Sequence, residues 1–373
     1  MAKAPGKILW LGGYSVLERP NVSFTTTVDA YVDAKVETRN SNEIILNAPQ
    51  LNQNARGVVD MKTGKLDIET SKDMHLLKTS VEVALQYVAE LGIKPSGLTI
   101  TTNNDPAFSY SISTGKVVKS GLGSSAAVTV ASIAAVLNAF EVDSKENDVL
   151  HKLSQTAHSV ATGKVGSGFD IASATFGSIF YTRYSPEIIN ALPSNYTNSQ
   201  LAELMKKQWD YKIEKFSIPD GFQLLLATFG DSMITTSAVG SVSSFKKKDP
   251  DTYDALIRVI NEQNVLAINA LKKISRGSED HFDSFKLAFD TGRLLTKKLG
   301  ELSNVAIEPD DCTFLIEESE RHGAYVSKLP GAGGKDAIAA LALNDGDSKS
   351  LRKFWKNKGL NILEVKPCKR GAQ

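Results

Sequence analysis

The sequence predicts an α+β protein of two domains, and three observations support this prediction. A glycine-rich turn at Lys119–Ala127 runs directly into a helix of small residues. Strand-like and helix-like patterns occur on both sides of a polar, proline-bearing stretch that ends near Pro219. A chain of 373 residues is long enough for two domains with a substantial core. We therefore expect one domain at residues 1–219 and a second at residues 220–373.

The first domain is expected to begin with a strand and to contain both strands and helices. Ile8–Leu11 is a short apolar run that follows Gly6, which is typical of a strand between glycine turns. Apolar and polar residues alternate over Val28–Val36, which predicts another strand. Residues 40–72 are rich in Asn, Gln and Asp, so an irregular segment is expected there. Apolar residues at helical spacing predict a helix at Thr79–Leu91.

The second domain is predicted from the order of its strands and helices. The expected strands are Gln223–Phe229, Tyr325–Leu329, Ala337–Leu343 and Ile362–Val365. The expected helices are Asp251–Ile274, Glu279–Leu302, Pro309–Arg321 and Asp347–Lys358. When the additional helices are set aside, the order is β-α-β-β-α-β, which is the ferredoxin-like motif.

The composition is that of an ordinary globular enzyme, with 42% hydrophobic and 23% charged residues. A formal charge of +1 gives no support for nucleic-acid binding, which would require a basic face. Cys312 and Cys368 are the two cysteines, so no disulfide framework is indicated and a cytoplasmic protein is expected. No signal peptide is expected before the first strand. The most apolar stretch, Ala126–Phe140, is too short and too interrupted to predict a membrane span.

The turn at Lys119–Ala127 is the strongest candidate for a ligand site. Gly121 and Gly123 allow close approach of the backbone to a ligand, and Ser124 and Ser125 open the following helix. The N-terminus of a helix binds anions because its N–H groups are unpaired and its dipole is positive there. A phosphate cradle is one interpretation of this turn. The dinucleotide pattern G-x-G-x-x-A and a purely structural turn are the alternatives at this point.

Two other glycine-rich segments carry a charged residue each. Lys7 stands at the start of the first strand, where a lysine is either a solvated surface residue or a fixed charge for the site. Asp170 lies in the turn Gly166–Ala174, where an aspartate commonly serves only to form the turn. A last turn, Pro330–Asp336, is either structural or part of a phosphate site.

Three glycine motifs therefore stand in order along the chain: Ala4–Tyr14 (APGKILWLGGY), Gly121–Ala127 (GLGSSAA) and Leu329–Ala337 (LPGAGGKDA). Together they resemble the motifs of the GHMP small-molecule kinases, and the resemblance covers nearly the whole chain. It implies an N-terminal domain of ribosomal-protein-S5-domain-2-like topology and a C-terminal ferredoxin-like domain. It also implies that ATP and a small-molecule acceptor bind in the cleft between the two domains.

Within this family the motifs are most similar to those of phosphomevalonate kinases. The first motif continues as GGYSVLE at Gly12–Glu18, and Lys119 stands directly before Ser120, which leads into the second motif. Mevalonate kinases carry a magnesium-binding glutamate upstream of the acid of the S-G-x-D turn, whereas this chain has Ala157–Ser159 there. The resemblance implies phosphorylation of 5-phosphomevalonate to 5-diphosphomevalonate by ATP.

The resemblance also implies roles for individual residues. Lys7 and Asp170 are expected beside the transferring phosphoryl group. Expected ATP-binding residues are Lys119, Gly121, Leu122, Gly123, Ser124, Ser125 and Ala126. Expected substrate-binding residues are Lys116, Lys119, Ser167, Gly333 and Gly334, and the expected Mg²⁺ ligands are Ser124 and Ser125. A phosphate acceptor, with a second pKa of about 6, is largely ionised at pH 7, so Asp170 would mainly orient Lys7 and the acceptor.

Other functions remain open at this point. The alternatives are a mevalonate kinase, a related decarboxylase and a catalytically silent sensor with the same fold, and Lys119 with the GGY of the first motif distinguishes the kinase and the decarboxylase from phosphomevalonate kinases. Sequence motifs of P-loop and protein kinases are absent from the chain. A Rossmann oxidoreductase would leave the first and third motifs unexplained. Nothing in the sequence indicates whether the protein is a monomer or a homodimer.

Overall fold

The N-terminal part of the fold is built around one long strand, Val22–Arg39.

The computed structural model describes residues 1–111, 117–142, 147–229 and 241–373. Its strands are, in chain order, β1 (Ala2–Leu11), β2 (Val22–Arg39), β3 (Glu43–Ala48), β4 (Gln53–Val59), β5 (Leu66–Asp67), β6 (Gly97–Asn104), β7 (Ser109–Ser111), β8 (Val117–Lys119), β9 (Ile179–Thr182), β10 (Lys212–Lys215), β11 (Gln223–Thr228), β12 (Val326–Lys328), β13 (Ala337–Ala342), β14 (Asn361–Leu363) and β15 (Pro367–Cys368). Its helices are α1 (His75–Glu90), α2 (Ser124–Ala139), α3 (Asn147–Thr162), α4 (Phe169–Phe176), α5 (Glu187–Asn190), α6 (Asn198–Lys206), α7 (Val242–Lys248), α8 (Pro250–Ile274), α9 (Phe282–Ser303), α10 (Asp310–Arg321) and α11 (Asp345–Asn357).

Strand β2 pairs with other strands along both of its edges. On one edge β1 runs antiparallel to it from Phe24 to Ala34. The other edge pairs in succession with β9, β15 and β6. The sheet then continues from β6 to the parallel strand β3 and on to β4 and β5. Valine, threonine and aromatic residues dominate the first half of β2, and such residues suit a strand that is covered on its faces.

Helix α2 is the central helix of this domain and is buried on nearly all sides. Residues such as Ala127, Val130 and Ala131 have no exposed surface. A helix that is apolar all round belongs in a core, and α2 packs against α1, α3, α4, β1 and β2. Its N-terminus follows directly after the turn Gly121–Gly123. The glycine turn is therefore held by the core of the domain.

The C-terminal sheet confirms the predicted β-α-β-β-α-β order. Its strands lie in the order β12-β13-β11-β14, and each neighbouring pair is antiparallel. This is the strand order of a ferredoxin-like sheet. Its two connecting helices are α10 and α11, and α7 to α9 are additions to the motif. The α+β fold class predicted from the sequence is confirmed.

The expectation that residues 40–72 form an irregular segment is wrong. Residues 40–72 contain β3, β4 and β5, because Ile44 and Leu46 are fully buried between β6 and β4 in spite of the polar residues around them. The polar stretch before Pro219 contains α5, α6 and β10. The first strand is also longer than predicted: Gly6 lies inside β1, at an irregularity in its pairing with β2, and does not bound the strand.

The last residues of the chain return to the N-terminal sheet. β15 pairs with Thr27 and Val28 of β2. The carbonyl oxygen of Cys368 accepts hydrogen bonds from the hydroxyls of Thr27 (2.7 Å) and Ser178 (2.8 Å). Gln373 and Lys3 exchange two backbone hydrogen bonds of 2.8 and 2.9 Å. The division between residues 219 and 220 stays a prediction. The structure adds that the terminal segment, which belongs to the second predicted domain, pairs with the sheet of the first.

Deleting residues 366–373 tests the importance of this terminal segment. We expect a clear fall in the urea midpoint and in Tm, because the buried hydroxyls of Thr27 and Ser178 lose their acceptor. Each buried polar group left without a partner costs about 1–3 kcal/mol. The control is Cys368→Ala, which keeps the backbone carbonyl and should change stability by less than about 0.5 kcal/mol. Equal stability of the truncated and full-length chains would contradict this account.

Candidate active site

The glycine turn adopts the backbone conformation that its sequence predicts. Gly121 and Gly123 have φ angles of 74° and 79°, in the left-handed region that residues with a Cβ rarely adopt. Leu122 between them is buried and fastens the turn to the core. Ser124 and Ser125, the first residues of α2, are half-buried beside a cavity. The turn therefore presents the N-terminus of α2 to that cavity, which is a favourable place for an anion.

Lys7 lies against this turn, and its side chain is 6% exposed. Its Nζ donates a hydrogen bond of 3.1 Å to the carbonyl oxygen of Gly121. Its backbone N–H donates to the carbonyl oxygen of Leu122 at 2.9 Å. A Cβ on Gly123 would come within 2.9 Å of Lys7 Cε, so the turn also needs glycine in order to leave room for this lysine. The interpretation of Lys7 as a solvated surface residue is wrong.

The charge of Lys7 is adjusted by burial and by Asp170. Burial lowers the pKa of Lys7 from its ordinary value, and the nearby Asp170 carboxylate opposes this fall. The Nζ of Lys7 also lies 5.4 Å from the centre of the Phe169 ring. Asp170 therefore acts on Lys7 electrostatically and favours its charged form.

Asp170 is held in place by the turn that precedes α4. Gly168 has a φ angle of 77°, and a Cβ there would lie 2.8 Å from the Tyr181 hydroxyl. The Gln155 side chain donates a hydrogen bond of 2.8 Å to the carbonyl oxygen of Gly168. The Asp170 carboxylate accepts a 3.0 Å hydrogen bond from the N–H of Ile171. Ser167, expected to bind substrate, is half-buried in the same turn.

The third glycine motif reaches the other two from the C-terminal domain. The Tyr14 hydroxyl donates a hydrogen bond of 3.0 Å to the carbonyl oxygen of Ala332. A Cβ on Gly121 would lie 3.8 Å from the Cβ of Asp336. Burial raises the pKa of Asp336, and the positive charge of Lys119 counteracts this rise. The structure thus brings all three motifs of the sequence into one place.

Gly333 and Gly334 have a clear structural role within the third motif. The N–H of Gly334 donates to the carbonyl oxygen of Ile307 at 2.9 Å. A Cβ on Gly333 would lie 2.1 Å from that same oxygen, so the close approach requires glycine. The N–H of Gly334 is consequently engaged within the protein. Substrate binding by these two glycines stays a prediction.

A cavity of about 320 Å³ opens beside the N-terminus of α2. Lys119, Ser124 and Ser125 line one side of it. The other walls come from residues that sequence analysis did not select: Ala48, Gln50, Leu51, Asp73, Met74, Leu76, Leu77, Thr102, Asn104, Phe108, Ser109 and Val128. Within the described ranges, Asn104 Oδ1 is buried and has no hydrogen-bond partner. These walls were missed because several belong to the segment expected to be irregular.

Of the two lysines expected to bind the acceptor, Lys119 lies among the described residues. Lys119 ends β8, is exposed, and lies on the rim of the cavity. Lys116 lies outside the described residues. Among the residues that the structure does describe, no group of three or more His, Cys, Asp or Glu side chains could hold a metal ion. Both cysteines are free, as the sequence predicts.

Comparison with known proteins adds independent findings. The family model "GHMP kinases N terminal domain" matches residues 78–178. The phosphomevalonate kinase of Saccharolobus solfataricus is 30% identical, over 97% of this chain and 95% of the relative. The peroxisomal phosphomevalonate kinase of Arabidopsis thaliana is 27% identical, over 100% of this chain and 95% of the relative.

A solved structure shares the fold over the whole length. Streptococcus pneumoniae phosphomevalonate kinase, in complex with phosphomevalonate and AMPPNP, superposes with a TM-score of 0.77 at 19% identity. The match covers 99% of this chain and 100% of that one. In the described part of the chain, none of the helices has both the length and the apolar character needed to cross a bilayer. From its motifs, its fold and its relatives, the chain belongs to the phosphomevalonate kinases of the GHMP kinase family.

Proposed function

We propose that this protein transfers the γ-phosphoryl group of ATP to the phosphate of 5-phosphomevalonate, giving ADP and 5-diphosphomevalonate. The observation that carries the proposal is the meeting of the three glycine motifs at the turn that binds the buried ammonium of Lys7. The full-length similarity to proteins named phosphomevalonate kinase supports the choice of acceptor. The reaction needs positioning and charge stabilisation more than covalent chemistry, and this site offers both.

ATP is proposed to bind with its phosphates on the turn Gly121–Ser125 and its base in the cavity. Unpaired N–H groups at the start of α2 would contact the phosphates. The unpaired oxygen of Asn104 would accept a hydrogen bond from an amino group of the base. The hydroxyls of Ser124 and Ser125 fit Mg²⁺, which takes oxygen ligands and usually shares them with substrate phosphates. When bound there, Mg²⁺ would neutralise part of the phosphate charge.

Lys7 is proposed to stabilise the negative charge of the phosphoryl group during transfer. An ammonium in a site of low dielectric acts more strongly than one in water. Its hydrogen bond to Gly121 fixes it beside the phosphate-binding turn. Asp170 favours its charged form and is proposed to orient both Lys7 and the acceptor. The acceptor phosphate, largely ionised at pH 7, needs little help from a general base.

Lys119 is proposed to hold the phosphate of the acceptor as a point charge. It lines the cavity, and its charge acts on Asp336 of the third motif. The γ-phosphate of ATP is the alternative partner, because Lys119 is next to Ser124 on the rim of the same cavity. Lys116 and Ser167 remain proposed contacts of the acceptor. The cytoplasmic location stays a prediction, since one relative is named peroxisomal.

Release of ADP with a panel of acceptors tests the proposed function. The panel contains mevalonate, 5-phosphomevalonate, homoserine and galactose, each with Mg²⁺ and ATP. We expect turnover with 5-phosphomevalonate alone, and loss of that turnover in Lys7→Met. Turnover with mevalonate would point to mevalonate kinase, and binding of ATP without turnover of any acceptor would point to a sensor.

Asp170→Asn tests the orienting role of this carboxylate. We expect kcat to fall by less than the ~10²–10⁴-fold typical of a missing general base. Loss of the negative charge also removes the opposition to desolvation, so the pKa of Lys7 falls further. The alkaline limb of the pH–kcat profile should therefore move to lower pH. Asp148→Asn, on α3, is the matched control and should leave the limb in place. A larger loss with an unmoved limb would indicate a general base.

Lys119→Met distinguishes the two partners of this lysine. We expect KM for 5-phosphomevalonate to rise much more than KM for ATP, because the acceptor loses a charge-assisted contact. Steady-state kinetics with each substrate varied in turn measures both constants. An equal rise in the two constants, or a rise confined to ATP, would assign Lys119 to the nucleotide instead.

A further inference from the structure

A lysine that the proposed mechanism does not use connects the two domains behind the active site. Lys328, the last residue of β12, donates a hydrogen bond of 2.9 Å from Nζ to the carbonyl oxygen of Trp10 in β1. Trp10 belongs to the same strand as Lys7. Lys328 is followed almost at once by Pro330 and Gly331 of the third glycine motif. The Trp10 end of this contact is therefore on the strand of Lys7, and the Lys328 end is next to the third glycine motif.

The surroundings of Lys328 are charged and largely buried. The Arg293 guanidinium of α9 forms an ion pair with the Glu308 carboxylate, and their side chains are 8% and 5% exposed. Glu308 follows Ile307, whose carbonyl oxygen holds the N–H of Gly334. The Glu308–Arg293 pair therefore lies next to the residue that supports the third motif.

Aromatic packing strengthens the same junction. The Trp10 ring lies 6.5 Å from the ring of Phe289 on α9, measured between centroids. The Trp10 Nε1 donates a hydrogen bond of 3.1 Å to the Thr26 hydroxyl. The ring nitrogen of Trp10 thus binds the N-terminal sheet. Its carbonyl oxygen and its ring contact Lys328 and Phe289 of the C-terminal domain.

We propose that Lys328 is a positioning residue that holds the third glycine motif against strand β1 and so sets the position of that motif relative to Lys7. The inference rests on the proposed function, in which the turn beside Lys7 binds the phosphates of ATP and the third motif lies against that turn. A charge-assisted hydrogen bond to a backbone carbonyl gives a defined geometry, which apolar packing alone does not. Small misplacements of catalytic groups have large effects on rate.

The protonation state of Lys328 gives this contact a pH dependence. Burial lowers the pKa of Lys328 to about 8, with Glu308 opposing the shift and Arg293 adding to it. Above that pH the ammonium becomes a neutral amine, and its hydrogen bond to Trp10 weakens. The folded-state pKa lies below the unfolded value, so the unfolded chain binds more protons at this group between about pH 8 and about pH 10. The contribution of Lys328 to the free energy of unfolding therefore increases as pH rises from about 8 to about 10. Alkaline pH should thus reduce activity through Lys328 without reducing stability through it.

The experiment compares Lys328→Met, Lys328→Arg and the control Lys286→Met in the full-length protein. Lys286 also donates to a backbone carbonyl beside β12, that of Tyr325 at 3.0 Å, and it pairs with Asp290 and Glu320. Its contacts all lie on the C-terminal side. Lys286→Met therefore removes a comparable lysine without touching the connection to β1.

We expect Lys328→Met to lower kcat for 5-phosphomevalonate by about 10²-fold with a Tm at least as high as that of Lys286→Met. Lys328→Arg should recover most of kcat, and its pH–kcat profile should lack the component near pH 8, because arginine stays protonated. Hydrogen exchange at one pH should be faster at residues 331–336 in Lys328→Met and unchanged there in Lys286→Met.

The outcomes separate this inference from the proposed function. An inactive wild-type protein would refute the proposed function, while faster exchange confined to Lys328→Met would still support the positioning contact. An active wild type with unchanged kcat in Lys328→Met, or with the same pH profile in Lys328→Arg, would overturn the role of Lys328.

Discussion

The buried ammonium of Lys7 is the constraint on which the active site depends. A buried charge is costly unless it is hydrogen-bonded and matched by an opposite charge. The carbonyl oxygen of Gly121 supplies the hydrogen bond, and the Asp170 carboxylate supplies the opposing charge. The left-handed glycine at position 123 leaves space for the lysine side chain. The glycine turn, the turn that carries Asp170 and the first strand thus all contact or face one side chain.

The site is completed by segments that are distant in sequence. The third motif comes from the C-terminal domain and is fastened to the first motif through Tyr14 and Ala332. Lys328 crosses from β12 to β1 close by, and the last strand, β15, adds its backbone to β2. Both ends of the chain therefore support the same N-terminal sheet. The position of the third motif relative to the first therefore depends on polar contacts between distant segments, and two of these contacts end on backbone carbonyl oxygens, those of Ala332 and Trp10.

The proposed reaction does not need a strong general base. In the proposed reaction the acceptor is itself a phosphate and is largely ionised at neutral pH. A strong general base is then unnecessary, and the carboxylate of Asp170 serves better as a partner of Lys7. Among the described residues, no group of three or more His, Cys, Asp or Glu side chains could hold a metal ion. Serine hydroxyls and substrate phosphates offer the oxygen atoms that Mg²⁺ prefers.

The sequence by itself determined the fold class, the ferredoxin-like order of strands and helices and the three motifs, because glycine turns and apolar periodicity are local signals. It also selected Lys7 and Asp170, although only as members of motifs. The tertiary structure decided that Lys7 is buried against Gly121 and that Gly334 is engaged with Ile307. It also revealed the cavity walls around Asn104 and the contact from Lys328 to Trp10. These features depend on pairing between distant segments, and a strand such as Ile44–Leu46 in a polar stretch is recognisable only once its partners bury it.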